Sequence, residues 1–271
     1  VYLTINDTDY WYELNGEGEP VVLLHGFTGT GGTWSDMVSG WLEDFQTLTI
    51  DMPGHGRTKQ GPNRTMDDFC RDLAGLLEVL QWKKVHLIGY SMGGRAALSF
   101  TLVFPERVKS LTLESASPGL ADAEARQKRR QHDEKLAQRI ETGGIKAFVD
   151  YWENIPLFQS QKQLPAVIRK GIRQERLSQS AEGLARSLRL MGTGSQPSWQ
   201  EELPNLTLPV LLLAGAYDQK FINMNQSMAK RMPSAELTVV QHAGHAIHVE
   251  QPAIFGKIVS GFLKSVETGR T

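Results

Sequence analysis

Serine, aspartate and histidine occur in this chain in an order that can build a proton relay, each directly after an apolar run. Ser91 lies in Gly89-Tyr90-Ser91-Met92-Gly93, between the apolar Val85–Ile88 and the helix-forming Arg95–Leu102. Strand, sharp turn and helix is the setting in which G-x-S-x-G lifts a hydroxyl clear of a sheet and onto a helix N-terminus. Asp218 closes the apolar stretch that begins at Leu211, and His245 follows the run that begins at Leu237. A hydroxyl is a weak base and nucleophile at neutral pH. It becomes effective when an imidazole takes its proton and a carboxylate orients that imidazole. Ser91, His245 and Asp218 are therefore the expected catalytic residues. Earlier in the chain, Val21–Leu24 runs into His25-Gly26-Phe27. The backbone N–H of Phe27 and that of Met92 are the expected pair of oxyanion donors. His25 reads as a structural hydrogen-bonding residue, since His245 fills the role of base.

These residues need a sheet to hold them. Tyr2–Ile5 and Tyr10–Leu14 alternate around Asn6–Asp9 and predict an antiparallel hairpin at a sheet edge. Val21–Leu24, Leu48–Asp51, Val85–Ile88, Val108–Glu114 and Pro209–Leu213 are continuous apolar runs or contain one, as buried parallel strands do. Thr65-Met-Asp-Asp68 resembles a capping box and opens a helix to about Leu80, with Phe69, Leu73, Leu76, Leu77 and Leu80 on one face. Asp51 and His55 lack further ligands at metal-binding spacing and read as a tight structural loop, so no metal site is expected. From about Gly119 to Ser198 no strand-like run occurs. Helices are expected over Asp122–Glu141, Ile145–Trp152, Leu164–Glu175 and Ala181–Met191, broken by Gly143-Gly144, Pro156 and Pro165. The fold class is thus α/β: a mostly parallel central sheet flanked by helices, with an all-helical lid insertion. The core is expected over 1–118 and 199–271 and the cap over 119–198. A pocket should lie between Ser91 and the cap, because open α/β sheets bind ligands beyond their strand C-termini.

The chain has 271 residues, 40% hydrophobic and 22% charged, with a formal net charge of −1. No overall field favours nucleic acid or an anionic membrane. Cys70 is the only cysteine, which excludes an intrachain disulfide. No apolar run reaches the roughly 18 residues of a spanning helix. Val1–Asp7 carries no signal-peptide core, and a cytoplasmic location is expected. Monomer and dimer both remain open.

The HG-F loop, D-M-P-G-H-G, G-Y-S-M-G-G, the Asp218 loop and A-G-H245 stand in the order of the α/β-hydrolase superfamily, which the chain resembles over nearly its whole length. G-Y-S-M-G-G-R95, E114-S-A-S-P-G-L120, the charged helix with Arg129, D-Y-W152-E-N-I-P-L-F158, Arg176, D218-Q-K-F221 and A-G-H245-A-I-H-V-E250 narrow the resemblance. Together they resemble the MenH family, 2-succinyl-6-hydroxy-2,4-cyclohexadiene-1-carboxylate synthases of menaquinone biosynthesis. That resemblance implies a carbon–oxygen lyase that eliminates pyruvate and uses neither metal nor organic cofactor. It implies a small polycarboxylate substrate, held by Arg95, Arg129 and Arg176, with Tyr90, Trp152 and Phe221 lining the pocket. Guanidinium forks suit carboxylates. On the residues alone, Arg126–Arg130 reads as a charge run of the kind that is usually a solvated face, and Trp152 could equally be lid core. The rival activities are a carboxylesterase or a carbon–carbon bond hydrolase using the same relay, and a non-catalytic binding protein of this fold. Lys220 and His248 have no role assigned from sequence.

Overall fold

The computed structural model describes residues 1–59 and 61–269. Asn6 and Asp7, at φ 45° and 63°, form the reversal between β1 (Tyr2–Ile5) and β2 (Thr8–Asn15). Positive φ at both central positions matches the twist of a hairpin, and short Asn and Asp side chains tolerate it. The link is two residues, tighter than the four expected from the alternation.

Six further strands complete one sheet: β3 (Glu19–Leu24), β4 (Phe45–Ile50), β5 (Val85–Tyr90), β6 (Val108–Glu114), β7 (Val210–Gly215) and β8 (Ala235–Val240). Their order is β1-β2-β4-β3-β5-β6-β7-β8. β1 and β2 pair antiparallel, as do β2 and β4, and every later pairing is parallel. The central strands are buried on both faces, which is why Val21–Leu24 and Val210–Leu213 are apolar without alternation.

Helices cover both faces. α2 (Met66–Val79), α3 (Met92–Val103) and α7 (Gln219–Ala229) pack on one, through Phe69, Leu73, Phe100 and Met228. α1 (Ser35–Gly40), α8 (Ile247–Glu250) and α9 (Pro252–Glu267) lie on the other, where Trp34, Phe255 and Leu263 are buried. Each such side chain contributes about 1.5–3 kcal/mol by leaving water. Thr65 and Asp68 do form a reciprocal capping box at the start of α2. α1 was not foreseen from sequence, having only six residues and little periodicity.

Between β6 and β7 the chain is helical: α4 (Ala123–Trp152), short 3₁₀ turns over Pro156–Gln163, α5 (Ala166–Leu177) and α6 (Ala181–Met191). The break expected at Gly143-Gly144 is a kink in α4, where Gly144 has φ 75°. Leu136, Ile140, Phe148, Val149 and Leu184 give this lid an apolar centre of its own. Three of the contacts that seat it on the core involve the loops after β3 and β4. Glu175 accepts the Thr30 N–H at 3.0 Å and its hydroxyl at 2.6 Å. Gln179 accepts the Gly56 N–H at 2.9 Å. The third is backbone against backbone: a Cβ on Gly183 would stand 2.4 Å from the Gly54 carbonyl oxygen. No helix among the described residues is long and apolar enough to cross a membrane.

In an open helix, Gly183→Ala would raise stability by up to ~1 kcal/mol. Here the methyl meets rigid backbone, and overpacking of this kind costs about 1–3 kcal/mol. The substitution is expected to lower the melting temperature by about 3–10 °C in a thermal unfolding scan. An unchanged or raised value would mean that the lid moves off Gly54 without cost.

Candidate active site

The G-x-S-x-G turn is held by close backbone packing. Ser91 links β5 to α3 at φ 51° and ψ −103°. Its N–H donates to the Glu114 carbonyl oxygen at 2.8 Å. A Cβ on Gly89 would lie 2.4 Å from the Gly93 carbonyl oxygen, and one on Gly93 would lie 2.1 Å from that of Leu24. Only glycine permits strand and helix to approach this closely.

Asp218 follows β7 and caps α7, and His245 follows β8. His245 Nδ1–H donates to Asp218 Oδ2 at 2.7 Å, and Ser91 Oγ–H donates to His245 Nε2 at 3.0 Å. The carboxylate fixes the tautomer, leaving Nε2 free to accept. Asp218 and His245 are 7% and 2% exposed, so the relay is shielded from bulk water. The rings of Tyr90 and Phe221 stand 5.4 and 4.8 Å from the imidazole.

The His25-Gly26-Phe27 loop follows β3. His25 Nε2 accepts the Met52 N–H at 2.9 Å, so Nδ1 carries the proton and donates to the Gly26 carbonyl oxygen at 2.8 Å. Burial lowers the His25 pKa to about 4 and that of His55, which packs edge-on against it, to about 3. Both are neutral braces. Asp51 accepts the Gly31 and Arg57 N–H groups at 2.7 Å each, in keeping with a structural loop. Met92 is the first residue of α3, and its N–H has no carbonyl of its own helix to bond.

Phe27, Tyr90, Ser91, Met92 and His245 line a cavity of about 230 Å³ beneath the lid. Arg95, Arg129, Trp152, Lys220 and Phe221 share the lining. Arg95 is 9% exposed, yet its guanidinium is bonded to neutral acceptors, the Met191 carbonyl at 2.7 Å and Gln196 Oε1. Burial lowers its pKa to about 9, which leaves it cationic at neutral pH. Arg129 Nε donates to Asp133 Oδ1 at 2.8 Å. Trp152 packs on Phe27, Phe148 and Phe158, and its buried indole N–H has no acceptor among the described residues. Arg176 is placed apart. It does not line this cavity; it lies behind Phe158, with its guanidinium carbon 4.7 Å from that ring.

Several site residues had not been picked out from sequence. Glu250 Oε2 accepts the Gly244 N–H at 2.8 Å and Oε1 accepts the Ala246 N–H at 3.4 Å, bracketing His245. Its position in A-G-H-A-I-H-V-E was the one available signal. Buried Glu114 accepts the His248 backbone N–H at 3.1 Å and its Nδ1–H at 2.8 Å. His248 is thus a second brace, three residues beyond His245. Gln196 had no local signal, since it meets Arg95 only through the folded lid.

The family model for the alpha/beta hydrolase fold matches residues 19–252. A Bacillus subtilis (strain 168) protein named "Putative 2-succinyl-6-hydroxy-2,4-cyclohexadiene-1-carboxylate synthase" is 46% identical, over 98% of this chain and 99% of that protein. A 2-succinyl-6-hydroxy-2,4-cyclohexadiene-1-carboxylate synthase of Klebsiella pneumoniae is 33% identical, over 88% of this chain and 92% of its own length. The solved structure of MenH from S. aureus superposes with a TM-score of 0.90 at 36% identity, covering 97% of this chain and all (100%) of that one. An esterase from Thermogutta terrifontis, solved with malate bound, gives 0.88 at 28% identity, with coverages of 98% and 99%. The chain belongs to the α/β-hydrolase fold family and, within it, to the 2-succinyl-6-hydroxy-2,4-cyclohexadiene-1-carboxylate synthases.

Proposed function

We propose that this protein is a lyase of menaquinone biosynthesis. It converts 2-succinyl-5-enolpyruvyl-6-hydroxy-3-cyclohexene-1-carboxylate into 2-succinyl-6-hydroxy-2,4-cyclohexadiene-1-carboxylate and pyruvate. The observation that carries the reading is the pairing of the Ser91 relay with Arg95, a buried guanidinium hydrogen-bonded to no carboxylate among the described residues, in one cavity. A buried cation bound only to neutral acceptors is costly, and a ligand carboxylate offsets that cost.

The names of substrate and product define the bond changes. The ring double bond at carbon 3 becomes two, at carbons 2 and 4, and the enolpyruvyl oxygen leaves carbon 5. A base therefore removes the carbon 2 proton, which is acidic because the succinyl ketone is adjacent. The electron pair forms the 2,3 double bond, the 3,4 pair moves to 4,5, and the carbon–oxygen bond breaks. The departing enolpyruvate takes up a proton and becomes pyruvate. Neither water nor an oxidant enters the balance.

Ser91 Oγ takes the carbon 2 proton while His245 holds the serine's own, and Asp218 stabilises the imidazolium. His245 then returns its proton to the leaving enolpyruvate. The N–H groups of Phe27 and Met92 face the enolate oxygen that develops on the succinyl ketone. Two such donors are worth roughly 10²–10³ in rate each. Arg95 and Arg129 hold substrate carboxylates, and Tyr90, Trp152 and Phe221 form the apolar wall. Glu250 keeps the His245 loop in register, since a misplacement of about 1 Å costs on the order of 10² in rate. A second reading, ester hydrolysis by the same relay, is favoured by the likeness to the Thermogutta esterase.

The first experiment couples pyruvate release to a dehydrogenase, with substrate generated in situ, spontaneous elimination subtracted and a p-nitrophenyl ester assayed in parallel. Pyruvate release well above background, reduced at least about 10³-fold in Ser91→Ala, is expected. Rapid ester cleavage without pyruvate would move the assignment to the hydrolase. Arg95→Met is expected to raise KM about 10–100-fold, the loss of one charge-assisted carboxylate contact; a KM unchanged within twofold would remove Arg95 from substrate binding. Glu250→Ala is expected to slow labelling of Ser91 by an alkyl fluorophosphonate about tenfold or more in folded protein. A normal labelling rate would confine Glu250 to stability.

A further inference from the structure

Behind Phe158 lies a second cavity of about 460 Å³, between α5 and the end of α4 with the turns that follow. Its lining includes Lys162, Arg169, Lys170, Arg173 and Arg176, against a single carboxylate, Glu153. Arg173 is neutralised by Asp150 and Glu153. Lys162, Arg169 and Lys170 have no ion pair among the described residues, and all three are exposed. Arg176 is different in kind. It is 6% exposed, donates to Gln161 Oε1 at 3.2 Å, and has no carboxylate at salt-bridge distance among the described residues. A guanidinium buried with one neutral acceptor has donors to spare, and here it borders a cavity ringed by further cations.

Phe158 also belongs to the lining of the Ser91 cavity. One side of its ring meets Arg176, and its centroid is 6.2 Å from that of His245. Phe158 is thus the one residue that lines both the cationic cavity and the cavity of the catalytic imidazole. The segment that carries it, Pro156–Gln163, is a run of 3₁₀ turns, not a long helix.

We propose that the cationic cavity is a carboxylate-capture site, where the substrate docks before it passes Phe158 to reach Ser91. This rests on the lyase reading above. That substrate carries three carboxylates, on the ring, the succinyl arm and the enolpyruvyl ether. The chain as a whole has a net charge of −1 and offers a trianion no general attraction. A recess lined by one sign of charge concentrates the opposite ion and steers its approach, raising association rates by roughly 10–10³. Arg95 and Arg129 on the inner side continue the cationic path. The class of ligand is a small molecule with two or three carboxylates, spaced so that one can stay with Arg176 while another enters.

The test measures association directly. Ser91→Ala holds substrate without turnover, and stopped-flow tryptophan fluorescence follows its binding, with Trp152 in the cavity wall as a reporter. In the same background, Arg169→Glu/Lys170→Glu is expected to reduce kon about tenfold at low salt, to flatten the dependence of log kon on ionic strength, and to leave koff within about twofold. Both side chains are exposed, so the melting temperature should not change. Lys220→Glu, in the lining of the Ser91 cavity and outside the capture site, should affect kon less. The proposal is overturned if the α5 double variant binds at the parent rate with the parent salt slope, or if Lys220→Glu alone slows association as much. Pyruvate release by the unaltered protein is measured alongside. A failure of the lyase reading appears there, and a failure of the capture site appears in kon.

Discussion

The backbone of Ser91, at φ 51° and ψ −103°, is the constraint on which the site depends. Side-chain-bearing residues avoid such conformations, at a cost of order 1–3 kcal/mol, unless the surroundings hold them. Here the surroundings are rigid backbone. β5, α3 and the end of β3 meet through Gly89 and Gly93 with no room for a methyl group. The Glu114 carbonyl at the end of β6 takes the Ser91 N–H. The side chain of the same glutamate holds His248, three residues past the base. One residue therefore ties the serine's main chain to the loop that carries its partner. The 3.0 Å separation of Oγ and Nε2 follows from fixed strands more than from the two side chains that span it.

Charge is layered around that geometry. In and beneath the His25–Phe27 loop, burial keeps His25 and His55 neutral, and His25 spends both ring nitrogens on backbone groups of Gly26 and Met52. Three acidic groups hold the His245 loop: Asp218 on the imidazole itself, Glu250 on the Gly244 N–H and Glu114 on His248. Burial raises the pKa of Glu250, although it accepts two backbone N–H groups. Arg95, Arg129 and Lys220 are the cationic side chains of the lining. A polyanion placed in the cavity would be drawn toward these cations, while a positive charge on the imidazole would rest against Asp218. The field is built before substrate arrives, so little reorganisation is needed during the reaction.

The parts of this arrangement that sequence revealed are those set by local rules. A buried parallel strand must be apolar, a sharp strand-to-helix turn must have small flanks, and a helix start favours Thr65 with Asp68. Each leaves a mark within a few residues, which is why the relay, the strands and most lid helices could be read directly. Arg176 could not be placed that way. Helical spacing puts it in the lid, but whether it faces Ser91 depends on Phe158, eighteen positions earlier, coming between them. Gln196 behind Arg95 and Ser160 against Gly244 have the same origin: they meet only when the lid closes on the sheet.

The relay itself does not choose between elimination and hydrolysis, since both begin with a serine oxygen whose proton has moved to histidine. The choice lies in what meets that oxygen. An ester offers an electrophilic carbon and then requires water; the cyclohexene offers an acidic C–H and requires none. A wall of Phe27, Tyr90, Trp152, Phe158 and Phe221 suits the second demand, because a serine oxygen is a strong base only where water does not solvate it. The same aromatics would slow a hydrolase by excluding its second substrate. On the proposed reading, carboxylate recognition by Arg95 and Arg129 would fix which carbon lies over Oγ. A fold shared with an esterase at a TM-score of 0.88 does not by itself separate the two activities, which leaves the choice to the side chains around the serine.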